Sequence, residues 1–131
     1  MHRLCLATFC VAAAAAPAFG QAPDWSHAQR AEVTLANFSF TPRTIRLHAG
    51  QPVILHLVNA SGGGHDFTAP AFFAAAQLRP ADRAAVAGGS IELSGHQTRD
   101  IALVPKAGRY RLKCGHTFHK TFGMAGEIVV Q

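Results

Sequence analysis

RYRLKCGHTFHKTFGMAGEIVV, residues 109–130, is the stretch of sequence that decides the fold of this chain. Residues 109–113 at its start, and residues 127–131, which extend one position beyond its end, are rich in residues that favour β-strands, so each is predicted to be a strand. The loop between them starts at Cys114 and ends at Met124, with His116 and His119 inside it. Because flanking strands bring the two ends of such a loop together, it can gather sulfur and imidazole groups around one point.

A thiolate, two imidazoles and a thioether form a soft nitrogen and sulfur donor set, which suits copper with three strong ligands and a long axial Met. The loop cannot easily supply both imidazoles, so the second histidine must come from elsewhere. His65 is the best candidate, because it follows the glycine run 62–64 after a predicted strand, and glycines permit unusual turns. His116 competes with His119 inside the loop, since residues two apart in an extended segment face the same way.

The rest of the chain alternates strand-like segments with Gly and Pro turns. Seven or so short strands of this kind are typical of an all-β sandwich of two sheets. Residues 70–87 differ, because they are rich in alanine and favour helix, so one or two short helices are predicted there as an insert. The predicted strands are 33–40, 44–48, 53–58, 90–93, 98–103, 109–113 and 127–131.

Residues 1–20 predict an export signal that is cleaved after Gly20. A short basic start precedes an uncharged apolar run, 4–16, that is too short to span a bilayer comfortably. Residues 21–32 form a polar lead-in, and 33–131 form the predicted domain, without a stable membrane span after cleavage. Cys5 and Cys10 lie in the leader, so Cys114 is the only cysteine of the mature part. A lone thiol in an oxidising compartment needs protection, which metal ligation would supply.

The balance of charges is moderately basic. The sequence has 12 Lys and Arg against 7 Asp and Glu, a net charge of +5. Loss of Arg3 with the leader leaves eleven basic residues against seven acidic ones, or +4. Such a charge is compatible with an acidic docking partner, and with an ordinary solvated surface. The basic residues are scattered rather than grouped in a Lys/Arg block, so no nucleic-acid partner is predicted.

The sequence resembles the cupredoxins, which are type 1 (blue) copper proteins. GGGHDF at 62–67 and CGHTFHKTFGMAGEIVV at 114–130 carry the resemblance, and the Cys-x4-His-x4-Met spacing is similar to that of rusticyanin and auracyanin. The resemblance implies a cupredoxin-like, antiparallel or mixed Greek-key β-sandwich with one copper ion. It implies metal ligation by His65, Cys114, His119 and Met124, and His119 is preferred to His116 because it matches the family's position.

Two positions depart from the family's pattern. The residue after the first ligand is often Asn and the residue after Cys is often Ser or Thr, whereas this chain has Asp66 and Gly115. Gly115 has no hydroxyl to tie the two ligand loops together, but Asp66 can accept a backbone N–H from the Cys114 loop. An ionised Asp66 would lower the reduction potential by favouring Cu(II). Phe118 and Phe122 are candidates for an apolar collar around His119.

The predicted function is that of a periplasmic or secreted one-electron carrier, a monomer that serves unidentified redox partner proteins. The alternative is a periplasmic copper-binding or delivery protein, which the single Met of the mature part disfavours. An enzyme such as a multicopper oxidase needs further histidine clusters and more domains, and the sequence has no His-x-His pair. No enzymatic activity is therefore predicted.

Overall fold

The computed structural model describes residues 22–116 and 124–131, which form two five-stranded sheets packed face to face. The first sheet has the strand order β2-β1-β4-β8-β6. Its strands are β1 (Gln29–Ala36), β2 (Ser39–Thr41), β4 (Val53–Asn59), β6 (Gln77–Leu78) and β8 (Thr98–Val104). The second sheet has the order β3-β10-β9-β5-β7. Its strands are β3 (Thr44–Leu47), β5 (His65–Thr68), β7 (Ser90–Leu93), β9 (Gly108–Lys113) and β10 (Ala125–Val130).

Most neighbouring strands are antiparallel, but each sheet contains one parallel pair. β1 runs parallel to β4, and β10 runs parallel to β3. The first described strand thus pairs with β4 in one sheet, and the last strand pairs with β3 in the other. The predicted all-β, mixed sandwich with a short helical insert is confirmed.

Side chains that alternate along the strands build the core between the sheets. In β4 every second residue, from Val53 through Leu55 and Leu57 to Asn59, is buried, and the residues between them are partly exposed. The same alternation in β9 buries Leu112 while its neighbours face solvent. This period of two is the one that a half-buried strand imposes, and it is why the sequence pattern located strands such as β4 and β9.

The first strand differs from its predicted bounds. It begins at Gln29, inside the polar lead-in, because Gln29 pairs with Val53 in the parallel register with β4. The predicted segment 33–40 is also two strands rather than one. A tight reversal at Phe38, whose φ is 64°, turns β1 back onto β2.

The insert predicted at 70–87 contains a helix α1 (Pro70–Ala75), the short strand β6 and a 3-10 helix (Pro80–Ala85). Phe72 and Phe73 of α1 are buried, and their rings meet Tyr110 and Phe67 at centroid distances of 5.5 and 5.9 Å. A further 3-10 helix, Trp25–His27, precedes β1. Among the residues that the structure describes, no helix is both long and apolar enough to cross a membrane.

Candidate metal centre

Three of the four predicted ligands lie at one end of three neighbouring strands. His65 is the first residue of β5, Cys114 directly follows β9, and Met124 directly precedes β10. In the sheet β9 lies between β10 and β5. The amide N–H of Cys114 donates to the carbonyl of Met124 at 3.1 Å. The strand pairing therefore brings these residues together although up to 59 positions separate them in the sequence.

The side chains of His65, Cys114 and Met124 are all fully buried. Nδ1 of His65 lies 3.9 Å from Sγ of Cys114. Metal bonds of about 2.1 Å to imidazole and about 2.3 Å to thiolate, meeting at about 120°, would separate the two donor atoms by about 3.8 Å. The observed distance thus fits two ligands of one metal ion, and their sulfur and nitrogen chemistry suits copper.

The environment of Cys114 opposes a charged sulfur in the metal-free protein. Burial raises the pKa of the Cys114 thiol above its usual value, and the amide N–H of Asp66, 3.4 Å from Sγ, acts in the opposite direction. A metal bound here would have to displace the thiol proton. The Asp66 N–H then has the position of a donor to the metal-bound sulfur.

Asp66 joins the segments that carry His65 and Cys114, two of the predicted ligands. Its Oδ1 accepts the amide N–H of Gly115 at 2.7 Å, and it also accepts the hydroxyl of Thr68. The prediction that Asp66 accepts a backbone N–H from the Cys114 loop is confirmed. A Cβ at Gly115 would lie 3.1 Å from Oδ2 of Asp66, so glycine leaves room for this carboxylate.

Asn59 is a positioning residue that the sequence analysis missed. It lies at the end of β4 and is buried, and its Nδ2 donates to the carbonyls of Gly63, Leu93 and Ser94. Its Oδ1 accepts the amide and the hydroxyl of Ser61. One amide side chain therefore ties the glycine loop before His65 to the end of β7. The signal in the sequence was an inward-facing Asn at the last position of an alternating strand.

His116 lies beside the site but faces carboxylates. Its Nε2 is 2.8 Å from Oε1 of Glu92 and 3.6 Å from Oδ2 of Asp66. Donor atoms of Asp66, Cys114 and His116 all lie within 4.8 Å of one another. The predicted ligand His119, and with it Phe118 and Phe122, lies outside the described residues. The choice of His119 as the loop's ligand stays a prediction.

The other histidines that the structure describes have different surroundings. His56 contacts Asp100 at 2.6 Å on the outward side of the first sheet, and His27 contacts Asp24 near the 3-10 helix. His48 is exposed. His96 lies on the turn that packs against the glycine loop, and its backbone N–H donates to the carbonyl of Ser61 at 3.0 Å.

The cupredoxin-like domain model matches residues 4–130 of the sequence. The chain belongs to the cupredoxin-like family. This membership agrees with the sequence resemblance and with the sulfur and nitrogen donors at the ends of β5 and β9, and it supports the predicted copper cofactor. A comparison of this chain with curated protein sequences found no match.

Solved structures similar to this cupredoxin-like chain include several auracyanins. Auracyanin B has 19% identity and a TM-score of 0.58, with 86% of this chain and 93% of that chain covered. Auracyanin A, a "blue" copper protein from Chloroflexus aurantiacus, has 18% identity and a TM-score of 0.53, covering 78% and 99%. At this level of identity the likeness shows the fold.

A multicopper oxidase from Aquifex aeolicus is also similar, at 17% identity and a TM-score of 0.63. The alignment covers 85% of this chain but 31% of the oxidase. The cupredoxin-like chain therefore corresponds to one part of that larger protein.

Proposed function

We propose that this chain is a carrier of single electrons that uses one type 1 copper ion held by His65, Cys114, His119 and Met124. The observation that carries the proposal is the 3.9 Å distance between Sγ of Cys114 and Nδ1 of His65, both fully buried. Two potential ligands 49 residues apart in the sequence meet inside the protein at a separation that one metal ion would bridge.

Copper bound at these residues would supply a one-electron couple between Cu(I) and Cu(II). The protein's part is to hold the donor atoms and to exclude water. Burial of His65, Cys114 and Met124 keeps solvent away, and the Asp66–Gly115 hydrogen bond fixes the two ligand segments relative to each other. Hydrogen bonds of this kind, around the ligands rather than to the metal, orient the ligands and tune the reduction potential of the metal.

The proposal includes the place of the protein in the cell. We propose that residues 1–20 are an export signal removed after Gly20, that 21–32 lead into the domain at 33–131, and that the mature protein is a periplasmic or secreted monomer. It would pass electrons between redox partners rather than catalyse a reaction, and it needs no further copper centre for that role.

Absorption of the copper form in the visible region tests the proposal. Addition of Cu(II) to the metal-free mature protein should give an intense colour from thiolate-to-copper charge transfer, and Cys114→Ser should abolish it. His65→Ala should also lose the colour, whereas the matched control His48→Ala, an exposed histidine, should keep it. A colourless wild-type complex would refute the proposal.

The loop's histidine ligand can be assigned in the same experiment. His119→Ala should lose the absorption and His116→Ala should retain it. The reverse result would make His116 the ligand.

Copper exchange with a chelator and repeated redox cycling distinguish the electron carrier from the alternative, a copper-binding or delivery protein. An electron carrier should keep its copper against a competing chelator and return to the same spectrum after repeated reduction and oxidation. A protein that releases copper to the chelator in either state would favour delivery.

A further inference from the structure

We infer that the outward side of the second sheet docks an acidic redox partner protein, an inference that rests on the proposed electron-carrier function. Five exposed cations define this surface, called the basic face below. Arg46, Arg109, Arg111 and Lys113 lie on strands of this sheet, and Arg43 directly precedes β3 and lines a surface depression with Thr44 and Glu127.

Strand alternation creates the basic face. In β9 the residues Tyr110 and Leu112 point toward the core, so Arg109, Arg111 and Lys113 all point outward on one strand. Val129 of β10 pairs with Arg109 on one side and Arg46 of β3 on the other. Val129 is buried although it lies on the outward side, as expected if arginine stems cover it.

Negative charge lies mainly beside this surface rather than within it. Glu127 is the one carboxylate that the described residues place among the five cations, and its Oε1 contacts Arg109 at 2.6 Å. Asp66 and Glu92 lie across from each other on β5 and β7 and interact with His116. The sheet is therefore basic over β3, β10 and β9 and acidic at its β5–β7 edge, which favours an acidic partner over the first three strands.

The basic face adjoins the proposed copper ligands. Lys113 immediately precedes Cys114, and a surface depression of about 360 Å³ is lined by Arg111, Lys113 and Met124 among its residues. A second depression of about 350 Å³ is lined by Arg109, Arg111 and Glu127 among others. A protein docked over β9 would thus lie close to the strand end that carries the buried sulfur donors.

The same surface is poorly suited to a membrane. Among the described residues the one large hydrophobic side chain that is exposed is Phe38, and it lies between β1 and β2 of the other sheet. A charged surface without an apolar anchor binds an anionic partner electrostatically, which gives fast and salt-dependent encounter. That behaviour is the one a transient electron-transfer partner needs.

Titration with a defined acidic redox protein tests the inference. Succinylated cytochrome c, whose lysines carry carboxylates, is added to ¹⁵N-labelled protein, with native basic cytochrome c as the opposite-charge probe. We expect saturable amide shifts at Arg109, Arg111 and Lys113 with the acidic probe alone, and weaker binding as salt rises. Shifts confined to the first sheet, or no saturable binding at low salt, would overturn the inference.

Charge-reversal variants distinguish binding through the basic face from a general effect of the protein's net charge. Arg111→Glu with Lys113→Glu should weaken binding by about tenfold or more at low salt, since the charges that steer the encounter are reversed. The control pair Arg30→Glu with Arg83→Glu makes the same change in charge at exposed sites elsewhere, on β1 and the 3-10 helix. The control should stay within about twofold of wild type. Equal losses in both pairs would overturn the inference.

A second readout links docking to electron exchange. One electron leaves the reduced protein and converts the ferric haem of the acidic probe to the ferrous state. The rate of this electron transfer should fall in the variant with Arg111→Glu and Lys113→Glu, in parallel with its weaker binding. Amide shifts are measured on metal-free protein as well, so a failed copper site and a failed docking surface give different results. Tighter binding to vesicles rich in phosphatidylglycerol than to the acidic protein would assign the face to a membrane and overturn the inference.

Discussion

Asp66 combines two roles at the scale of a single residue. Its backbone N–H approaches the sulfur of Cys114, and its carboxylate accepts the N–H of Gly115. Glycine at position 115 leaves room for the carboxylate of Asp66, since a side chain there would crowd Oδ2. The link between ligand segments that a hydroxyl often provides in the family is made here by a carboxylate and a backbone amide.

Asp66→Asn should raise the reduction potential of the copper protein. The substitution removes a negative charge near the metal and retains an oxygen that can accept the Gly115 N–H. We expect a rise on the order of 50 mV, roughly a tenfold change in a one-electron equilibrium constant. Cyclic voltammetry measures it. Glu92→Gln, an exposed carboxylate that also faces His116, is the control and should give a smaller rise. An unchanged or lower potential for Asp66→Asn would contradict the argument.

Asn59→Ala should destabilise the protein by about 2–3 kcal/mol, because it leaves buried carbonyl and amide groups without their hydrogen-bond partner. Urea unfolding of the metal-free protein measures the change. Asn37→Ala, at an exposed Asn between β1 and β2, is the matched control and should change the free energy of unfolding by less than about 0.5 kcal/mol. Equal values for the two variants would show that Asn59 does not organise the loop.

At the scale of elements, the insert at 70–87 protects the edge of the first sheet. Two residues of β6, Gln77 and Leu78, pair with β8. Beyond them, hydrogen bonds from Arg79 and Asp82 continue along the same edge of β8. The N–H of Arg79 donates to the carbonyl of Ala102, and Oδ2 of Asp82 accepts the N–H of Ala102. An edge strand that would otherwise offer free backbone groups is covered in this way, which limits pairing with other chains.

Asp82→Ala should cost about 1–2 kcal/mol of stability, since it leaves the buried N–H of Ala102 without its acceptor. Hydrogen exchange at the Ala102 amide should accelerate at the same time. Asp82→Asn keeps an oxygen for that N–H and should recover most of both effects. If the exchange rate of Ala102 were the same in Asp82→Ala as in wild type, the edge-covering role would be wrong.

At the scale of the whole molecule, the proposed metal ligands couple the metal to the fold. The three that the structure describes lie in β5, directly after β9 and directly before β10, so no short peptide contains them all. Unfolding separates His65 from Cys114, and a metal that needs both binds the native state preferentially. Copper should therefore stabilise the folded chain as a whole.

Copper should raise the free energy of unfolding by about 4 kcal/mol when its free concentration is a thousand times the dissociation constant. Urea unfolding with and without copper, in the absence of oxygen, measures the gain. Cys114→Ser should lose most of it, whereas Ser94→Ala, at an exposed serine, should keep it. If copper left the midpoint of urea unfolding unchanged, the proposed ligands would not bind one metal ion together in the folded protein.

Much of this fold followed from the sequence, because alternation of buried and exposed residues is local. The strands β3, β4, β7, β8 and β9 lie within a residue or two of their predicted bounds. The early start of β1 could not be predicted, since Gln29 and Arg30 are exposed and join the sheet only through backbone pairing with β4. The break at Phe38 was missed for a related reason, because its conformation is set by pairing of β1 with β2.

The sequence by itself determined which residue types are available for chemistry: one cysteine outside the proposed leader, a histidine after three glycines, and a methionine before the last strand. Only the tertiary structure decided that His65 and Cys114 meet at 3.9 Å, that Asn59 holds the loop, and that three cations of β9 share a surface with Arg46. The physical reason is that composition and alternation are properties of neighbouring residues, whereas a ligand distance depends on how distant strands pair.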